Sequence, residues 1–278
     1  MGNLLASEVK KNYKQEIFFL FILIFILFLI NYSYLDKKLI SFFSTEESLI
    51  KEKVCFVERV VDGDTIIACG NTTRLLGINT PEKGEFLYSL AKEYLVKRIE
   101  NKTIKLVFSN EKKDRYGRVL AYVYFENKNI NQELIKNGFA NPYFPSSKDK
   151  NFNSFLSSWE ECTLIRNNLC ENSKDICANC IQLKNLNLEK ETILLYNSCD
   201  FSCDLENWTI KDEGRKIFTF PFFKLESNSE LEIITANDSG VFKNKIYWTS
   251  NDYVWTDSGD TIFIRDSKGK LVLWKNYF

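Results

Sequence analysis

The stretch from Asp62 to Glu82, DGDTIIACGNTTRLLGINTPE, constrains the fold more than any other part of the chain. Ile66-Ile67 and Leu75-Leu76-Gly77-Ile78 are short apolar runs bounded by turn residues, the pattern of strands in a meander. Asp62-Gly63-Asp64 is turn chemistry, because Asp bonds its neighbouring backbone and Gly accepts φ > 0. Folded as a meander, these strand ends bring Asp64, Arg74, Asn79, Thr80 and Glu82 to one rim. Such a rim offers hard oxygen donors for a divalent cation, a carboxylate base and a guanidinium for phosphate.

Composition narrows the chemistry. The 278 residues allow about two domains, and 37 basic residues cancel 37 acidic ones. No global field attracts nucleic acid or anionic lipid, so any such contact must be a local patch. Histidine is absent. That excludes Ser-His-Asp and Cys-His mechanisms and a histidine base, leaving carboxylates for acid–base work.

Residues 1–16 form a polar tail, and Ile17 to Ile30 is an unbroken apolar run. Through Leu35 a helix would rise about 28 Å, close to the hydrocarbon thickness of a bilayer. No small-x-small cleavage site follows, which favours a retained anchor over 17–35; a cleaved signal peptide is the alternative. All eight cysteines lie beyond this run, as expected of disulfides outside the cell. The expected topology is a cytoplasmic tail, a single span, a charged connector over 36–53 and an extracytoplasmic bulk.

A first domain is expected over 54–172. Cys55 and Cys69 lie almost symmetrically about the Asp62-Gly63 turn. If 54–61 and 65–69 pair as a hairpin, the two thiols come within disulfide reach. Leu87, Leu90, Ala91, Tyr94, Leu95 and Arg98 fall at helical spacing, as a stripe against a core. Thr103–Ser109 alternates as a strand, and Asp114–Tyr124 reads as a turn feeding another. A second helix spans Asn131–Asn137 before Gly138, and a third runs from Phe152 to about Leu169. An intact third helix would hold Cys162 and Cys170 about 12 Å apart, too far to bridge each other.

Asp62–Glu82 and Asp114–Tyr124 together resemble the two signature regions of the staphylococcal nuclease (thermonuclease) family. DGDT, the following arginine and TPE stand at family spacing, and DRYGR follows the second pattern through to its Ala and aromatic ending. The helix NQELIKNGFA (131–140) is similar to the family's next one. The resemblance implies an α+β OB-type barrel of five strands and three helices. It implies calcium as cofactor, with Asp64 and the Thr80 carbonyl as ligands and Asp62 in support. Asn79 stands where the family has a second ligating carboxylate. Glu82 matches the general base, and Arg74 and Arg118 match the pair that binds the scissile phosphate. DNA and RNA are the implied substrates, cut at the bond to the 5′ oxygen. Tyr122 and Tyr143 are candidates for stacking on a base, with packing at the core rim as the other reading. The amide at 79 removes a charge from the cation site, so weaker calcium binding is expected, restored by Asn79→Asp.

Beyond about Glu171 the composition turns to Asn, Ser, Lys and Cys. Cys177-x-x-Cys180 and Cys199-x-x-x-Cys203 suit either a zinc knuckle or a pair of disulfides. A second domain over 178–278 reads as an all-β, immunoglobulin-like sandwich. Its candidate strands are 192–197, 208–211, 216–220, 230–236, 245–249, 261–265 and 271–274. LLYN, DLENWTIKD and FTFP resemble a lamin-tail domain, with Leu205, Trp208, Ile210 and Phe220 as core. The expected whole is a membrane-anchored extracellular nuclease requiring Ca2+, with a sandwich whose partner is unknown. The alternative is a surface binding protein that uses the nuclease fold without cutting.

Overall fold

A computed structural model describes residues 18–26, 51–145 and 148–277. Residues 18–26 are helical (α1). Among the described residues no helix is long and apolar enough to cross a membrane. The remainder of the run expected to span a bilayer lies outside them. Glu52–Phe278 forms one compact unit, separate from Met1–Lys51.

The first half of that unit is a barrel. Strands β1 (Glu52–Asp62), β2 (Thr65–Ala68) and β3 (Asn71–Leu75) form the expected meander, and β4 is the short Ile78–Asn79. Cys69 and Gly70 both take positive φ, the mirror-image two-residue turn that suits the twist of β2 and β3. Helix α2 (Tyr88–Ile99) precedes β5 (Thr103–Lys113), β6 (Val119–Phe125) and β7 (Lys128–Asn129). The order β3-β2-β1-β5-β6-β7, closed by a parallel β3–β6 pairing, makes five of these strands a barrel. Closure leaves the principal strands without a free edge. Helix α3 (Ile130–Lys136) is capped by Asn129, whose side chain accepts from the Gln132 amide at 3.2 Å. Strand β8 (Asn141–Pro142) pairs with β4, and α4 (Phe152–Ile165) covers the barrel's end.

Three local expectations change. In α2 the buried stripe is Ala91, Leu95 and Ile99, while Leu90 faces solvent. Arg98 is drawn out of the stripe into an ion pair with Glu133. Helix α4 stops at Ile165, four residues short, because Arg166 adopts the left-handed conformation as its cap. The chain doubles back there, and Cys162 bridges Cys170 across a Cα separation of 5.8 Å. The helix that would have held the two cysteines about 12 Å apart ends before Cys170. Gly63 is not in the left-handed region; its value is space. A Cβ there would lie 2.8 Å from the Thr80 hydroxyl, so only glycine lets Thr80 pack onto the turn.

The second half is the expected sandwich. One layer orders β16 (Gly240–Phe242), β17 (Lys245–Thr249), β15 (Glu230–Ala236), β10 (Thr192–Asn197) and β9 (Ile181–Asn187). The other orders β13 (Ile217–Thr219), β12 (Thr209–Lys211), β18 (Asp260–Arg265) and β19 (Leu271–Tyr277). β11 (Cys203–Asp204) and β14 (Lys224–Leu225) form a small separate pair. Leu205, Trp208, Ile210 and Phe220 are buried between the layers, as expected. The cysteines bridge Cys55–Cys69, Cys177–Cys203 and Cys180–Cys199. The two close pairs that suited zinc are thus cross-linked as disulfides.

The halves share a core. Phe263 and Leu271 of the sandwich are buried in the same apolar cluster as the barrel residues. Trp159 of α4 meets Phe263 and Trp274 edge to face, at ring separations of 5.3 and 6.3 Å.

Candidate active site

The meander register assembles a cluster on the barrel rim. Thr65 lies opposite Arg74 across β2 and β3, so Asp64 sits beside the arginine. Arg74 Nη1 reaches Asp64 Oδ2 at 2.7 Å and the Leu75 carbonyl at 3.1 Å, and its Nη2 donates to Asn79 Oδ1 at 3.3 Å. Thr80 donates to the same Asp64 Oδ2 twice, from its amide at 3.2 Å and its hydroxyl at 3.1 Å. Thr65 Oγ1 donates to Oδ1 at 3.1 Å. Asp62 accepts from the Asp64 amide at 3.2 Å, closing the acidic turn. Burial, and secondarily the charge of Asp64, pushes the Asp62 carboxyl above its ordinary range.

Glu82 follows Thr80 by two residues in the chain, and Arg118 lies just before β6. Glu82 is ion-paired at 2.7 Å with Arg215, a residue of the second domain. Arg118 directly precedes Val119, which pairs with Thr73 of β3. Its Nε donates to Asp114 Oδ2 at 2.7 Å, and its guanidinium lies over the Tyr116 ring. Tyr122 belongs to the core: it is buried edge to face with Phe155, and its hydroxyl donates to Asp149 at 2.6 Å. That is the packing reading, not the stacking one. Tyr143 is half-buried beneath the second domain, and burial raises its hydroxyl's pKa, with the Asp212 carboxylate as the next cause.

The second domain enters the site through one turn. Asn79 and Asn141 are register partners of β4 and β8. Their amides donate to successive carbonyls of that turn: Asn79 Nδ2 to Gly214 at 2.6 Å and Asn141 Nδ2 to Glu213 at 2.8 Å. The Phe144 amide donates to Glu213 Oε1 at 3.1 Å, and Lys211 pairs with Glu85 at 2.7 Å. Residues 211–215 were legible from the sequence only as a strand end and a turn. No local pattern marks them as partners of a site some 135 residues away.

The donors do not fit a calcium ion in this arrangement. Asp64 offers the carboxylate that touches Arg74 and Thr80, and its Oδ2 is taken by a guanidinium and two Thr80 donors. The Asn79 oxygen also faces Arg74. Among the described residues no group of three or more acidic, histidine or cysteine side chains is placed to hold a metal.

A closed five-stranded barrel with three helices and a carboxylate–guanidinium cluster at its rim defines a nuclease-like OB domain. Sequence comparison agrees. The model of the staphylococcal nuclease homologue family matches residues 72–169, and that of the lamin tail domain matches residues 171–278. Asp62 and Asp64 precede the first match. A thermonuclease of Staphylococcus intermedius is 32% identical over 118 residues, 39% of this chain and 70% of that protein. An uncharacterized endonuclease of Haemophilus influenzae is 35% identical over 127 residues, 44% of this chain and 70% of that protein. An uncharacterized protein of Methanocaldococcus jannaschii is 38% identical over 119 residues, and the chain spans 58% of its length. The chain belongs to the staphylococcal nuclease family, with a lamin tail domain following the nuclease-like one.

Proposed function

We propose that the protein is a phosphodiesterase of thermonuclease type acting on DNA and RNA. The observation that carries this reading is the convergence of Asp64, Arg74, Asn79 and Thr80 into one contact cluster, with Glu82 two residues after Thr80, at the positions the family motif assigns. In the proposed reaction a water oxygen attacks phosphorus and the bond to the 5′ oxygen breaks. Glu82 orients the water and takes its proton. Arg74 and Arg118 neutralise charge on the phosphoryl oxygens as it builds, where fixed guanidinium groups act most strongly. The 5′ oxygen leaves with a proton and the 3′ end keeps the phosphate. Cleavage is expected to require added calcium. Anchoring by 17–35, with the bulk outside the cell, completes the proposal.

Full-length protein is tested on single-stranded DNA and RNA with millimolar calcium and with chelator. Glu82→Gln and Arg118→Ala are expected to lower cleavage by about two orders of magnitude or more with unchanged melting. Parent-like cleavage in Glu82→Gln would assign the activity to a contaminant. A carbonate wash that strips the protein from membranes would end the anchor proposal. The second reading, a barrel that binds without cutting, draws on one observation: the cluster is closed off from solvent.

A further inference from the structure

Asp64, Arg74, Asn79 and Thr80 are only 6, 7, 1 and 4% exposed. A group that must grip a phosphodiester needs an open face, and Arg74 has none: both its terminal nitrogens are engaged within the protein. Above the cluster lies the turn Lys211–Lys216. Gly214 sits so close to Tyr143 that a Cβ there would approach the ring to 3.3 Å and the turn's own Asp212 to 3.1 Å. The charges acting on the Tyr143 hydroxyl are those of Asp212, Arg74, Glu213 and Arg215, drawn from both the turn and the rim. Arg215 meanwhile occupies Glu82, the carboxylate expected to handle water.

We infer that the acidic turn Asp212–Arg215 is an internal plug over the nuclease site, which an anionic nucleic-acid strand must displace to be cut. The turn sets backbone carbonyls against Asn79 and Asn141, and a guanidinium where the base would meet water. Apart from the approach of Gly214 to the Tyr143 ring, the contacts named between the turn and the rim are polar: three hydrogen bonds from Asn79, Asn141 and Phe144, and ion pairs to Glu82 and Glu85. The apolar anchor begins at the foot of the turn, where Phe263 is the register partner of Lys211 and packs against Trp159, which also meets Trp274. A surface pocket of about 270 Å³ lies at the foot of the turn, lined by Pro81, Phe86, Lys211, Ile217, Phe263 and Arg265 among others. Displacing residues 212–215 would break these hydrogen bonds and the Glu82 ion pair while leaving the ring contacts of Trp159, Phe263 and Trp274 in place.

The cleavage readout rests on the nuclease reading; the opening readout does not. Two full-length variants loosen the turn: Gly214→Val, an uncharged wedge against Tyr143, and Arg215→Ala, which frees Glu82. Hydrogen exchange at the Phe144 amide gauges opening, and anisotropy of a labelled oligothymidylate in chelator gauges access. Both variants are expected to speed Phe144 exchange, cleavage and oligonucleotide capture tenfold or more over the parent. Faster exchange with cleavage unchanged or reduced overturns the plug, since the turn would then be a working part of the site. If no form cleaves, the nuclease reading falls and capture decides the plug: tenfold tighter binding by the variants keeps it, equal binding removes it. Should either variant melt without cooperativity, the parent decides. Oligonucleotide bound while Phe144 stays protected overturns the plug, and exchange accelerated by the oligonucleotide supports it.

Discussion

Asn79 carries the clearest lesson at the scale of single residues. Its amide is not a degraded carboxylate: the nitrogen donates to Gly214 and the oxygen accepts from Arg74. An aspartate would set a second acceptor against the Gly214 carbonyl in a site without solvent. Asn79→Asp is therefore expected to destabilise the folded chain by about 1–3 kcal/mol, the cost of a buried acceptor left without its donor. Denaturant titration measures this, and cleavage should rise in the same variant as the turn loosens. Arg74 makes a second case. Its partner Asp64 is as buried as it is, so Arg74→Ala strands a carboxylate and should cost about 3–5 kcal/mol. Loss of cleavage in that variant reports on stability as well as chemistry, and its melting curve separates the two.

Among elements, the turn between β12 and β13 is unusual in its protons. Burial, with the charge of Asp260 as the next cause, pushes Asp212 up to about 7 and Glu213 to about 8, and burial pushes the neighbouring Asp260 of β18 up to about 6. Lys211 acts against the rise at Asp212, and Lys148 at Glu213. Unfolded carboxyls titrate near about 4. The folded chain thus holds protons that the unfolded chain has already released. The stability these groups contribute is complete below about pH 4 and declines as pH rises through 6 to 8. Melting temperature should fall across that window, and Glu213→Gln should flatten the decline. A melting temperature that climbs from pH 5 to 8 would contradict the assignment. Helix α4 shows the same dependence on context: its end at Arg166 decides whether Cys162 meets Cys170. Replacing both by serine should cost about 2–3 kcal/mol, as expected for cross-linking a short loop.

In the whole molecule, the barrel and the sandwich unfold as one if their shared core dominates. Phe263 is buried against Trp159 at the centre of that core. Phe263→Ala should cost about 3–5 kcal/mol and split a single calorimetric transition into two, one per domain. A parent that already melts in two steps would refute the coupling.

What the sequence determined by itself was everything set by near neighbours. The acidic turn, the β2–β3 meander and the Cys55–Cys69 bridge follow from turn residues and alternation within some twenty residues. Most sandwich strands were legible for the same reason, as was the burial of Trp208 and Phe220. The first nuclease motif named Asp64, Arg74, Asn79 and Thr80, and the register of β2 with β3 brought them together. The tertiary structure decided what surrounds them. A side chain's solvent access depends on which distant surface packs over it, and no periodicity encodes that. Leu90 and Tyr122 each fitted a local role that packing then reassigned. Gly214 and Arg215 gave no local sign of facing Asn79 and Glu82, because the contact exists only once Phe263 and Leu271 have bound the sandwich to the barrel. The chemistry of the site is local in origin, and its closure is a property of the packed whole.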